Sequence, residues 1–198
     1  MDYVSIVLEE LKILYIGQSL DLYWTCNLVC PSVGEHLKSV DNKTGGIFRM
    51  LLRLMEATSL STNNPDLRCL IILLGRHFGI RDDYQNLCSN DYARQKGFCE
   101  DLDEGKYSLP IIHALHSLSE DQGMVLRNML AQRRVNGKSS LEHKQLILQL
   151  MQQSGSLNYT LAALRQLQSE IDKEVEAIEL LSGFRNDGLR ALLYKLYV

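Results

Sequence analysis

The chain has 198 residues, a formal net charge of −3 and 45% hydrophobic residues. That supplies apolar material for one sizeable core and too little positive charge for a nucleic-acid surface or a polybasic membrane patch. Only three prolines occur, and β-branched and aromatic residues nowhere alternate over a useful length, which argues against a sheet and predicts an all-α fold.

The first helix is predicted from Tyr3 to about Trp24. Its apolar residues (Val4, Ile6, Val7, Leu8, Leu11, Leu14) crowd too densely for one stripe and predict burial on more than one side. The acidic start, MDYVSIVLEELK, is unlike the basic opening and apolar core of a signal peptide. After Cys30-Pro31-Ser32 a second helix runs from Val33 to about Met55, with Lys43-Thr44-Gly45-Gly46 in its middle. Two glycines inside a helix cost on the order of 1 kcal/mol each against alanine. A packed neighbour or a closely approaching ligand would account for them.

Residues 59–66, SLSTNNPD, read as a turn-rich connector. A third helix from Leu67 places Leu70, Ile71, Leu74, Phe78 and Asp82 along approximately one face. Residues 87–107 read as a polar loop, and a short helix follows Pro110. Further helices are expected near 119–133, 139–154 and 156–182, and an amphipathic segment, GLRALLYKLY, closes the chain. With no repeat, low-complexity segment or long linker, residues 1–198 read as a single helical domain.

Five scattered cysteines (Cys26, Cys30, Cys69, Cys88, Cys99) point to free thiols in a reducing compartment. Cys26 and Cys30 are spaced to share a helix face, as are His113 and His116, but neither pair completes a four-ligand zinc set. The longest apolar run, Cys69 to Leu74, is too short for a transmembrane segment. A cytoplasmic protein is the expectation.

The chemistry concentrates in DDYQN, residues 82–86. Asp82 and Asn86, four residues apart, stack on one helix face, with Asp83 turned away. Carboxylates near a helix C-terminus oppose the macrodipole and call for a cation. Arg81 is one candidate. Mg²⁺ is another, since it takes few carboxylates directly and completes its octahedron with water and phosphate oxygens. Residues 81–106 hold seven acidic and four basic side chains, Lys96 and Lys106 among the latter. Carboxylates that recruit Mg²⁺ and lysines that meet phosphate oxygens together suit a diphosphate. A solvated charged loop has the same composition.

Four segments in one order are more specific: GQSLDLYW (17–24), NKTGGIFRM (42–50), GIRDDYQNL (79–87) and KGFCEDLDEGKYSLPIIHAL (96–115). Together they resemble the trans-isoprenyl diphosphate synthases, and within them the fungal-type geranylgeranyl diphosphate synthases, from about residue 7 to about residue 165. The resemblance implies the isoprenoid-synthase helical array and a Mg²⁺-assisted, head-to-tail condensation of an allylic diphosphate with isopentenyl diphosphate. It implies that Asp82, Asp83 and Asn86 belong to a metal-binding motif, with Asp82 the direct ligand. It also implies that Lys43, Lys96 and Lys106 are the catalytic residues that contact the allylic diphosphate, with Thr44 beside it. Gln18 and Asp21 would line the cavity, and Asp101 would support the lysine-bearing loop.

Two departures from the family pattern stand out. Phe78-Gly79 replaces the usual Phe-Gln, which removes an amide from the implied cavity and is expected to loosen the backbone. No second DDxxD occurs in the 198 residues, so the chain resembles the C-terminal part of a synthase, without the first metal motif or the isopentenyl diphosphate site. Such a chain is expected to be inactive alone, and an alternative is a crippled homologue acting as a modulating subunit of a full-length synthase. The family dimerises through helices corresponding to residues 2–24 and 33–56, so a homodimer or heteromer is implied. A class I terpene cyclase fits poorly, because its second metal motif needs a serine where Arg94 follows Asn90-Asp91.

Overall fold

The computed structural model describes residues 2–60 and 65–198, apart from the side chains of Asn90, Tyr92, Lys96 and Arg134. The described residues form helices and no strand. In chain order these are α1 (Tyr3–Asn27), α2 (Val33–Thr58), α3 (Arg68–Cys88), α4 (Asn90–Lys96), α5 (Glu100–Glu104), α6 (Leu109–Ser117), α7 (Glu120–Asn136), α8 (Leu141–Gln153), α9 (Ser156–Ser182) and α10 (Asp187–Leu196). No helix among the described residues is long and apolar enough to cross a membrane.

The backbone divides into two compact units, each drawing on several stretches of chain. The first comprises Met1–Gln18, Lys38–Gly79 and Ala163–Val198. Its helices approach one another at glycines. A Cβ on Gly17 of α1 would stand 2.7 Å from the Lys43 backbone nitrogen and 2.8 Å from the Ser39 carbonyl of α2. Ser39 Oγ donates to the Gly17 carbonyl at 3.0 Å across that same approach. A Cβ on Gly75 of α3 would stand 2.8 Å from Gly45 Cα. Close helix packing thus accounts for Gly45 in the middle of α2, and Gly46 is likewise buried beside Leu14.

Charge satisfies the rest of this interface. Glu10 is buried, with Arg49 Nε at 3.1 Å and Arg53 Nη1 at 3.0 Å from its carboxylate. Arg49 also folds back to the Asp41 carbonyl at 2.8 Å, while Arg76 makes a bidentate pair with the Asp41 carboxylate at 2.9 and 2.6 Å. Leu70, Ile171, Val175 and Leu193 form the apolar centre, and Tyr197 packs on it with its hydroxyl donating to Asp172 at 2.8 Å.

The second unit comprises Ser19–Leu37 and Ile80–Ala162. Its core runs around α6, where Ile111, Ile112 and Ala114 have no exposed surface and meet Trp24, Leu102, Leu126, Ile147 and Met151. Pro110 sits in the first turn of α6, where its missing N–H costs nothing. Ser119 and Ser140 cap α7 and α8, accepting from Gln122 N at 3.4 Å and His143 N at 3.2 Å.

The polar segment 87–107, expected as a loop, contains α4 and α5. Burial decides this for α5. Cys99 and Leu102 are each 1% exposed and anchor the turn in the core, while Gly105 at φ 69° closes it in the left-handed conformation open to glycine. Cys26 and Cys30 do not share a helix face either. α1 ends at Asn27, and Leu28 at φ 55° turns the chain away between them.

Candidate functional site

The acidic motif occupies the last two turns of α3, and its side chains differ in burial. Asp83 points inward, with its carboxylate 3% exposed, and Lys106 Nζ lies 2.5 Å from Oδ1. Asn86 is buried one turn later, where Oδ1 accepts the Asp101 backbone N–H at 3.2 Å. Asp82 is half-buried, and its carboxylate is near enough to Asp101 to add like-charge repulsion there. Among the described residues no three His, Cys, Asp or Glu side chains are arranged to enclose a metal. Of the three residues expected to hold a metal, Asp83 pairs with Lys106 and Asn86 with the α5 backbone, while Asp82 is the more exposed of the two carboxylates.

Lys106 follows Gly105, and its backbone N–H donates to the Asp101 carbonyl at 3.1 Å. Its ammonium lies between Asp83 and, at 3.5 Å, Asp101. Burial works against the charged amine, but Asp83, Asp101 and the more distant Asp21 outweigh it and hold its pKa above the ordinary lysine value. Asp101 is pushed up to about 6, mainly by burial and against the pull of Lys106, with Asp83, Glu104 and Asp82 adding like-charge repulsion. Thr25 Oγ1 donates to the Gly105 carbonyl at 3.4 Å, so Asp21 and Thr25 reach the loop from the same helix.

The Lys106 ammonium thus faces Asp83 and Asp101, with Asp21 adding to its field, while Asp82 and Glu104 add negative charge around Asp101. Oxygen donors of this kind would suit a hard cation such as Mg²⁺ better than a thiophilic metal. Lys96 closes α4, and its side chain lies outside the described residues.

Gln18, Lys43 and Thr44 belong to the first unit, where all three are half-buried. Gln18 follows the Gly17 contact, which sets the α1 backbone against the Lys43 amide. Gly79 lies inside α3, where a Cβ would stand 2.7 Å from Val40 Cγ1 and 3.2 Å from Thr44 Oγ1. A β-branched valine has little rotamer freedom to yield, so the usual glutamine has no room in this packing.

Sequence comparison places these residues among known proteins. The polyprenyl synthetase family profile matches residues 1–150. The chain is 52% identical over 198 residues to geranylgeranyl pyrophosphate synthase A of Phomopsis amygdali, covering 99% of this chain and 51% of that protein. It is 51% identical over 190 residues to a bifunctional type I diterpene synthase of Aspergillus flavipes, covering 96% of this chain and 25% of that protein. An ophiobolin F synthase of Aspergillus calidoustus is 51% identical over 203 residues, with 98% of this chain and 28% of that protein covered. The chain spans about half the length, or less, of these curated relatives.

Proposed function

Because the chain belongs to the polyprenyl synthetase family, we propose that it serves a prenyltransferase of the geranylgeranyl diphosphate synthase type in isoprenoid and terpenoid biosynthesis. The reaction joins isopentenyl diphosphate head to tail to an allylic diphosphate. One observation carries this reading: a half-buried Asp82 next to the Asp83–Lys106–Asp101 cluster, in a chain 52% identical to a geranylgeranyl pyrophosphate synthase.

Asp82 would hold Mg²⁺, which when bound neutralises charge on the leaving diphosphate. Lys106 would exchange a carboxylate partner for a diphosphate oxygen, and Asp101 would keep it oriented. For Gln18, Lys43, Thr44 and Lys96, contact with the allylic diphosphate or its cavity is supported by the family resemblance.

The test is binding of inorganic pyrophosphate to the chain with and without Mg²⁺, by calorimetry. Saturable binding that disappears with chelator and with Asp82→Ala is expected, and Mg²⁺-independent or absent binding defeats the proposal. With allylic and isopentenyl diphosphates the chain alone is expected to show negligible condensation, since it carries one aspartate-rich motif. Robust turnover abolished by Asp82→Ala would overturn that expectation.

A second reading, a modulating subunit, is favoured by apolar surface on α1 and α2. Val4, Leu8 and Tyr15 on α1 are 61%, 62% and 65% exposed, and Leu51 and Met55 on α2 are also exposed. Association through residues 2–24 and 33–56, with a second copy or a full-length synthase, would cover such surface. Adding the chain to a full-length synthase separates the readings. A change in turnover or product length that survives Asp82→Ala in this chain supports modulation.

A further inference from the structure

The segment that delivers Lys106 is tied down by a set of mostly part-buried polar contacts. Lys144 on α8 has a side chain 11% exposed. Its ammonium donates to the Phe98 carbonyl at 2.7 Å and to Asp103 Oδ2 at 2.6 Å. These acceptors lie on either side of Leu102, so one lysine bridges the entry to α5 and its last turn. Asp103 Oδ1 accepts the Ser139 backbone N–H at 2.9 Å, and Ser139 Oγ donates to the Leu102 carbonyl at 3.2 Å. Arg133 Nε donates to the Asp103 carbonyl. Its Nη1 would lie 3.1 Å from a Cβ on Gly105, so the guanidinium covers the residue before Lys106.

Stability alone does not call for this arrangement. Removing two charges from water is costly, and a well-packed apolar pair does as well or better. What an apolar pair lacks is direction. It cannot bond the Phe98 carbonyl and the Asp103 carboxylate at once, and so cannot hold the two ends of a five-residue helix at a set separation. Lys106 begins two residues after α5 and keeps its amide on the Asp101 carbonyl. A shift of α5 is therefore a shift of the ammonium that sits 2.5 Å from Asp83.

We infer that Lys144 is a positioning residue: by clamping the Phe98 carbonyl and Asp103, it sets where Lys106 holds its ammonium and thereby tunes affinity for a magnesium–diphosphate group. The inference rests on the function proposed above, and the experiment separates the two.

Lys144→Met is combined with Asp103→Leu, so that neither charge is left buried alone. Melting temperature, hydrogen exchange of the amides of residues 98–106, and affinity for inorganic pyrophosphate with Mg²⁺ are compared with the unsubstituted chain. The double variant is expected to melt near the parent temperature, yet to exchange these amides about tenfold faster and to bind pyrophosphate about tenfold more weakly, the scale of lost outer-sphere support. Parent-like exchange or parent-like affinity in a folded double variant overturns the inference. If the double variant does not fold, Asp103→Asn takes its place. It keeps the side-chain shape and is expected to raise exchange and weaken binding in the same direction, and no change in either refutes the clamp. If the parent chain binds no pyrophosphate, the proposed function fails, and parent-like exchange in the variant then refutes the clamp separately.

Discussion

Gly75→Ala sets helix propensity against packing at one atom. Alanine is favoured over glycine in a helix interior by about 1 kcal/mol, so the sequence alone predicts a more stable protein. In the folded chain the added Cβ would stand 2.8 Å from Gly45 Cα and 3.2 Å from Gly45 N. Carbon atoms prefer separations near 3.5–4.0 Å, so α2 and α3 must part by roughly 1 Å, and the obstacle is backbone that no rotamer change relieves. Overpacking of this kind costs about 1–3 kcal/mol. Backbone contact belongs at the upper end, about 2–3 kcal/mol, which leaves a net loss of about 1–2 kcal/mol after the propensity gain. For a chain of this size that lowers the melting temperature by about 2–8 °C. Gly34→Ala is the control, since a Cβ there meets nothing within 4 Å; it should leave the midpoint unchanged or raise it. Thermal melts of both variants decide the matter. A Gly75→Ala chain that melts higher than the parent would refute the packing account of the paired glycines.

Gly79→Gln, which restores the family's usual residue, is expected to destabilise by about 1–3 kcal/mol through overpacking, because its Cβ meets Val40 Cγ1 at 2.7 Å. Adding Val40→Ala should recover part of that loss in urea titrations, and an unperturbed single variant would contradict the geometry. Asp83→Leu leaves the Lys106 ammonium with Asp101 at 3.5 Å and should cost about 3–5 kcal/mol, as breaking a buried pair does. Asp82→Ala should cost under about 1 kcal/mol yet abolish Mg²⁺-dependent pyrophosphate binding; equal stability losses for the two aspartates would disprove their division of labour. Burial, with a smaller contribution from His116, holds the His113 pKa below the ordinary histidine value. Its ring stacks on Tyr159 with centroids 4.1 Å apart and lies 2.9 Å from Ser156 Oγ. A depressed folded value means that the unfolded chain binds the proton more readily, so this contribution is present above about pH 6.5 and is lost as pH falls through the folded value. Melts at pH 7.5 and 5.5 should show a smaller acid-induced drop for His113→Asn than for the parent, and equal drops would exclude His113 as a source of acid sensitivity.

Much of the architecture follows from local pattern. The 3.6-residue spacing of apolar side chains placed α1 to α3 and α6 to α10 within a few residues of their observed ends, because amphipathic periodicity, caps such as Ser119 and Ser140 and breakers such as Pro31 act over one or two turns. DDYQN at the end of an apolar helix drew attention for the same reason: carboxylates against the macrodipole are unusual wherever they occur.

Other features were settled by contacts distant in the chain. α5 forms in a polar stretch because Cys99 and Leu102 find a core built from α1, α3 and α6 to α8. Gly45 and Gly75 are explained by each other, and neither has a local signature of that approach. The distinction between Asp82 and Asp83 is decided by Lys106, 23 residues further on, and Lys144 reaches Asp103 across 41 residues. Helix periodicity reports which way a side chain points from its own axis. It carries no information about which partner waits there, and for a buried charge the partner decides whether a carboxylate holds the fold together or meets a metal. On its own, the sequence determined most of the helices and the acidic motif; tertiary packing decided that α5 forms and which of the two aspartates is buried against Lys106.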